Sequence, residues 1–474
     1  MQSKQDQLQA HLYVLGRVVS ALTRGEPDAA ETPMRRFTGA AVGGGVLALV
    51  LAAGAAVLGL VLPASGTAWQ TSDTLVVEKE TGTRYLLVDG VLHPVLNYTS
   101  ARLLTGSQLQ VKSVAQKTLA AVPRGVPLGI PGAPDSLPQP GPAATGRQWT
   151  LCADPASDQA GTAVRTTVAL DNARPIGAPL GVSALLLEGP DGVLYLAWHD
   201  HRLRVPDRAV LVALGYGGHQ PWRVPAQWLA ALPSGPDLRA PSVPGQGADG
   251  PRVGGRASKV GQVLSVTTTT DGGPGTSYFL VLQDGLAPVS ALEAALLLGD
   301  PGSRGAYPDG RVTAVAVSSS DAAAAALSGH TVDAAGLPAT TPVLVEAAYG
   351  RVQAPCVRLL FGPGGTAASA VVGLADVPST AGGAAGAGRA LVVPGGGLLA
   401  EAPALSGDRR GAQYLVSDLG VKYPLGGDAA SALGYNSNAP VAVPSALLDL
   451  LPTGPELSAA AAAREQPVTA PSTP

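Results

Sequence analysis

Apolar residues recur at Leu8, Leu12, Leu15, Val19 and Leu22, at spacings of 4, 3, 4 and 3. That rhythm places them on one stripe of a helix over 3–24, with Gln5, Gln7, Gln9, Arg17 and Arg24 largely off it. Ser3 and Asp6 make an S-x-x-D start close to a capping box, and Gly25-Glu26-Pro27 ends the helix. A lone helix of this length is marginal in water, so the stripe calls for a membrane surface or a partner. The first turns are not basic enough for a strong lipid-surface helix, which favours a partner protein. The plain alternative is a frayed lead with no binding role.

The pattern changes at Thr38. From there to Leu62 the chain reads TGAAVGGGVLALVLAAGAAVLGLVL without one charged residue. As a helix these residues span roughly 37 Å, enough for a hydrocarbon core of about 30 Å. Arg35 and Arg36 stand directly before the run, Lys4, Arg17 and Arg24 lie further upstream, and no Lys or Arg follows until Lys79. The positive-inside rule then puts the N-terminus in the cytoplasm and everything after about Pro63 outside. A cleaved signal peptide has a shorter apolar region and a shorter lead. A buried soluble helix is the other alternative.

Beyond the run the period becomes strand-like and a pattern repeats. A tyrosine among apolar residues, an Asp-containing turn, a proline and a Leu-rich helical stretch recur four times. The copies begin at Tyr85, Tyr195, Tyr278 and Tyr414, with turns at Asp89-Gly90, Asp200-His201, Asp284-Gly285 and Asp418-Leu419. Pro94, Pro206, Pro288 and Pro424 follow. The second and fourth copies agree further. Leu214-Gly215-Tyr216 corresponds to Leu433-Gly434-Tyr435, and LPSGPDL over 232–238 to LPTGPEL over 451–457. Each copy reads as a β-hairpin and a short helix, too small to bury much surface alone.

The resulting class is α+β. The layout is a cytoplasmic helix and linker (1–37), a single transmembrane helix (38–62), an extracytoplasmic repeat domain (63–457) and a disordered tail (458–474). Repeats lie near 75–120, 180–238, 260–300 and 390–457, around a central strand-rich part near 148–180 and 310–375. The Gly/Pro-rich stretches 120–147, 239–258 and 376–390 read as linkers, the last two as mobile ones.

Composition narrows the function. With 46% hydrophobic and only 14% charged residues, full-length disorder is excluded. A net charge of -3 argues against nucleic acid as a partner. At 4% aromatics, the cores must be built from Leu, Val and Ala.

Cys152 and Cys356 are the two cysteines, and outside the membrane such a pair is expected to be oxidised. Two buried thiols or a metal site are the alternatives, and no His stands at ligand spacing. No Lys follows a Gly, so no P-loop is present, and the Gly-rich strings near Gly362 and Gly395 read as loops. In Trp198-His199-Asp200-His201 the two histidines could hold a metal, yet Asp200 sits where the other copies have a turn Asp. His93, His219 and His330 are isolated, no G-x-S-x-G occurs, and Asn97-Tyr98-Thr99 is a sequon by pattern only. No catalytic, cofactor-binding or metal-binding residue is assigned.

Several blocks resemble the EccB family, the single-span core component of actinobacterial type VII (ESX) secretion systems. They are QSKQDQLQAH over 2–11 with Gly16-Arg17, LVVEKETGTRY over 75–85, HPVLNY over 93–98 and SARL over 100–103. GIPGAPD over 129–135 and Trp149 to Cys152 continue the series. Gln5 departs from the family pattern, which usually has a basic residue there. The likeness is dense over 2–152 and thinner to about 457.

The resemblance implies an elongated, propeller-like ectodomain with repeats in pseudo-two-fold arrangement about a central domain, and a Cys152–Cys356 disulfide. It implies a structural subunit in the plasma membrane that assembles and stabilises the export channel. The partners would be the EccC ATPase, EccD, EccE, the mycosin protease and further copies of itself. Some family members carry an ATPase label. Two other functions compete: a cell-wall-binding module, for which only Trp198, Trp222 and Trp228 cluster, and an extracytoplasmic nucleotide hydrolase.

Overall fold

The computed structural model describes residues 4–25, 34–61, 69–139, 146–156, 163–270, 273–332, 336–362, 367–377, 389–403, 411–435 and 440–467 of the 474. Helices α1 (Lys4–Arg24) and α2 (Met34–Val61) come first. The first repeat holds β1 (Thr74–Glu78), β2 (Arg84–Val88), β3 (Val91–Pro94), α3 (Tyr98–Thr105), β4 (Gln110–Val114) and α4 (Gln116–Leu119). Strands β5 (Gln148–Pro155) and β6 (Val164–Leu170) follow. The second repeat holds β7 (Ala184–Glu188), β8 (Leu194–Trp198), β9 (His201–Val205), α5 (Arg208–Ala213), β10 (Trp222–Arg223) and α6 (Ala226–Ala230). The third holds β11 (Val263–Thr270), β12 (Gly273–Val281), β13 (Leu286–Val289), α7 (Ala291–Gly299), β14 (Val315–Ala316) and α8 (Ser319–Ala324). After β15 (Gln353–Phe361), β16 (Ala367–Asp376) and β17 (Arg389–Leu391) comes the fourth repeat. It holds β18 (Leu398–Glu401), β19 (Gln413–Val416), β20 (Lys422–Pro424), α9 (Ala429–Ala432), β21 (Val441–Ala442) and α10 (Ser445–Leu448), and α11 (Ala459–Ala462) follows it.

The chain divides into two compact units. The first is Met1–Thr71 with Val76–Gly82 and Lys112–Ala121. It contains α1, α2 and α4, and the Lys79 amide donates to the Val114 carbonyl at 3.0 Å. Side chains of α2 are described over 39–55, where Val42, Val46, Leu47, Leu49, Val50 and Leu51 are all exposed. Taking the described residues alone, no helix is long and apolar enough to cross a membrane.

The second unit carries the rest of the first repeat and the other three. Three of them share one sheet plan, in which three antiparallel strands are followed by a helix and a short strand returning parallel to the first. The orders are β10-β7-β8-β9, β13-β12-β11-β14 and β20-β19-β18-β21. After its last helix each repeat also lays the chain along its own third strand. The bridges Leu92–Arg124, Arg202–Ser234, Leu286–Leu327 and Lys422–Thr453 are equivalent, all parallel. The LPSGPDL and LPTGPEL blocks are these runs.

The bridges correct the sequence alignment of the third copy. Tyr85 pairs with Pro94 and Tyr414 with Pro424, but Pro288 pairs with Phe279, so Phe279 and not Tyr278 holds the equivalent place. A cation lies over the ring in the other three repeats: Arg124 on Tyr85 at 5.3 Å, Arg202 on Tyr195 at 6.0 Å and Lys422 on Tyr414 at 5.5 Å. The β8–β9 turn is also one residue earlier than expected. Trp198 pairs with His201, and His199 takes positive φ in the turn.

The central sheet has the order β16-β15-β5-β6-β17. It is built from 148–170, 353–376 and 389–391. Among the described residues, 310–352, expected to belong to it, give no strand to this sheet; β14 pairs with β11 of the third repeat, and Leu327 and Leu344 bridge to the third and second repeats. One face of the sheet is apolar. Trp149, Leu151, Val357 and Leu359 join Leu185 and Leu187 of the second repeat and Leu398 and Ala400 of the fourth in one core. The opposite face is buried but polar. Arg174 meets Asp154 at 2.8 Å, Thr167 donates to Asp154 at 2.6 Å, and Arg174 reaches the Asp376 carbonyl at 3.1 Å. The sheets are separate, and among the described residues no ring of them closes as a propeller would.

One expected linker and the start of the expected tail are ordered. Within 239–258, Val243 and Val253 are buried, and the prolines and glycines make turns such as the Val253–Arg256 bridge. Within the expected tail, Ser458 caps α11 and Ala462 is fully buried. Residues 468–474 and 378–388 lie outside the described residues.

The correspondence of Leu214-Gly215-Tyr216 with Leu433-Gly434-Tyr435 has a structural basis. Tyr216 and Tyr435 each follow a glycine with positive φ, and both donate a buried hydrogen bond, to Pro342 O at 2.5 Å and Pro138 O at 2.7 Å. Burial pushes the Tyr216 phenol up to about 12 from its ordinary 10, and burial raises Tyr435 as well. The unfolded phenols ionise first, so this stabilisation is complete below pH 10 and is lost as pH rises from 10 through 12. Denaturant titrations should show stability falling over that window. The fall should be shallower in Tyr216→Phe/Tyr435→Phe, and each substitution should cost about 1 kcal/mol at pH 7. An unchanged slope in the double variant would show that these phenols do not set it.

Candidate assembly surfaces

Helix α1 leaves its apolar side bare. Leu8, Leu12, Leu15 and Leu22 are exposed, Leu22 by 82%, while Val19 is half-buried. Val14 and Val18 are exposed too and widen the stripe. Sequence reading missed them, although their own i, i+4 spacing marks them. Arg17 lies over the Tyr13 ring at 6.0 Å. Arg35 and Arg36 fall in the first turn of α2, and their side chains lie outside the described residues.

Cys152 and Cys356 form a disulfide, with the Cα atoms 4.1 Å apart. They face each other directly on β5 and β15, the two strands that join the halves of the chain, and both are fully buried.

Among the described residues, the chemistry-bearing groups singled out in the sequence are held in local contacts. His199 stacks on Trp198 with ring centroids 3.8 Å apart, and His201 Nδ1 lies 2.7 Å from Asp200 beside it. Trp228 is fully buried and donates to Pro355 O at 3.0 Å, so it offers no platform to a ligand. Among the described residues no group of three or more His, Cys, Asp or Glu could hold a metal ion. Asn97 serves as the N-cap of α3, accepting from the Ser100 amide at 2.9 Å.

The structure does bring together one set that the sequence leaves apart. Asp284 accepts from Ser328 Oγ at 2.7 Å and from the Gly329 amide at 3.0 Å, and His330 Nδ1 stands 3.1 Å away. The Ser328 hydroxyl above all, with His330 and the Gly329 amide, holds this carboxyl down to about 2. The Ser328 hydroxyl and the His330 ring both address the carboxylate, and the His330 amide donates to Ser328 Oγ at 3.0 Å, so the set ties a turn and the imidazole is not placed to take the serine proton.

Comparison with known proteins identifies the family. A family model described as "Type VII secretion system ESX-1, transport TM domain B" matches residues 1–471. A protein of Mycolicibacterium smegmatis, "ESX-3 secretion system ATPase EccB3", is 30% identical over 475 residues, covering 94% of this chain and 87% of its own length. "ESX-2 secretion system ATPase EccB2" of Mycobacterium tuberculosis is 30% identical over 496 residues, covering 97% and 94%. Among solved structures, a chain of an intact ESX-5 inner membrane complex matches with TM-score 0.62 and 25% identity, covering 100% of this chain and 98% of its own. A chain of an EccB3 dimer from the ESX-3 core complex matches with TM-score 0.59 and 30% identity, covering 82% and 99%. With the family model matching nearly the whole length and relatives 30% identical over 94–97% of it, the chain belongs to the EccB family of type VII secretion systems.

Proposed function

We propose that this protein is the membrane-anchored structural subunit of a type VII secretion complex, and that its role is to assemble and stabilise the export channel. The observation that carries this reading is the end-to-end likeness to a chain of an intact ESX-5 inner membrane complex. In this reading residues 38–62 span the membrane once, Arg35 and Arg36 hold the N-terminus in the cytoplasm, and the repeats lie outside. The α1 stripe of Leu8, Leu12, Leu15, Val19 and Leu22 docks on the cytoplasmic side against the EccC ATPase and EccD. The repeat body contacts its own copies, and EccE and the mycosin protease complete the set of partners.

The relatives' names favour a second reading, an ATPase. One purification tests both. The full-length protein, isolated in mild detergent, should run as a large assembly that contains a P-loop ATPase and a multi-span protein. After high-salt removal of those chains it should hydrolyse no ATP. A lone monomer would sink the assembly reading. Turnover that stays with this chain through the salt step would establish the ATPase instead.

A further inference from the structure

The first and third repeats end alike except on one side. In the first repeat, the run along β3 closes with buried Leu128, and its outer side is covered. The Gln466 amide donates to Pro127 O at 2.8 Å, the Gly129 amide to Arg464 O at 3.4 Å, and Leu128 faces Glu465 in antiparallel register. The chain's own segment 464–466 is thus added there as one more strand. In the third repeat the run enters through the Leu286–Leu327 bridge, and counting from the bridge places Thr331 where Leu128 stands. Here the outer side is open. Thr331 is exposed, and neither it nor Val332 makes a hydrogen bond among the described residues.

A cavity of about 610 Å³ lies beside this edge, walled by Pro241, Pro244, Leu280, Leu282 and Val332. Pro241 and Pro244, which line this cavity, have no N–H to donate to the edge. The Asp284–Ser328–His330 set fixes the lip. An unpaired edge beside an apolar cavity is the geometry that receives an added strand.

We infer that the 330–332 edge receives residues 468–474 of a second copy of this chain as an added strand, with Val468 in the cavity. This rests on the self-associating assembly proposed above. The segment Val468-Thr469-Ala470-Pro471-Ser472-Thr473-Pro474 carries no charged side chain, as an apolar cavity requires. It directly continues the segment that adds a strand to the first repeat. The segment is tethered at the first repeat, where 464–466 pair with 127–129, and the self-associating assembly supplies the second copy that presents it to this edge.

Photo-crosslinking tests this directly. A photoreactive phenylalanine analogue replaces Ala470 in one full-length copy, co-expressed with a second copy bearing a different tag, and the complex is isolated in mild detergent. The expected product joins residue 470 of the first copy to the peptide holding 330–332 of the second. Thr331→Pro, which removes the edge donor, and Leu282→Asp, which charges the cavity, should each cut its yield about tenfold or more. Unchanged melting of each variant shows that it folds. Crosslinks confined to one copy, crosslinks to 127–129 or other sites, or none at all would overturn the inference. If partner chains still co-purify in those cases, the assembly reading stands; if they are absent, it fails as well.

Discussion

Removing the disulfide, as Cys152→Ala/Cys356→Ala, is expected to cost about 5 kcal/mol of unfolding free energy. The bond closes a loop across 204 residues of sequence separation. Cross-linking an unfolded chain over that distance removes about 5 kcal/mol of its conformational entropy in the loop-closure model. The folded state loses little else, because β5 and β15 stay paired from Leu360–Gln148 up to the bridge, and each also pairs with its other neighbour, β6 and β16. The variant should therefore keep the native fold and melt earlier. Both cysteines are fully buried, so reductant added to native wild-type protein should leave the bond intact, and reductant with denaturant should break it. Denaturant melts of wild type and variant measure the difference. A loss under about 1 kcal/mol would mean that the two halves dock tightly enough without the staple.

The repeat architecture was legible because the chain repeats its chemistry. Tyr195 and Tyr414 both occupy the second strand, and the LPSGPDL and LPTGPEL blocks both line the third. The third copy misled by one residue because Tyr278 sits beside the true equivalent, Phe279. Strand side chains alternate with period two, so that slip exchanges the faces. No local pattern could reveal that 310–352 leaves the central sheet, since Leu337, Pro342 and Leu344 are spent on the second repeat through the Tyr216 hydrogen bond and the Ala184–Leu344 bridge. The Ala run after Ser458 looked disordered by composition alone. It is ordered because Ala462 finds a buried place beside Leu103 and Leu433. Of the candidate surfaces, the α1 stripe was readable from spacing. The Asp284–His330 contact was not, because 46 residues separate its members.

Leu12→Asp/Leu15→Asp is expected to abolish recovery of the cytoplasmic partners while leaving the rest of the protein intact. Both leucines are exposed on α1, so the free helix loses no packing when they are replaced. An interface that buries them gains about 1.5–3 kcal/mol from each side chain, and two carboxylates in their place forfeit that and add a desolvation cost. The sum is more than 3 kcal/mol, a loss of about 100-fold or greater in affinity. Gln7→Ala/Gln9→Ala, off the stripe, should change recovery less than about threefold, since no apolar burial is lost there. The disulfide and the melting of the repeat body should be unchanged, because both leucines are exposed on α1 and the disulfide is buried in the second unit. Quantitative mass spectrometry of detergent-purified complexes, normalised to this chain, reads the effect. Full retention of the P-loop ATPase by the Asp variant would show that α1 does not dock it and would leave the membrane surface as the stripe's remaining partner.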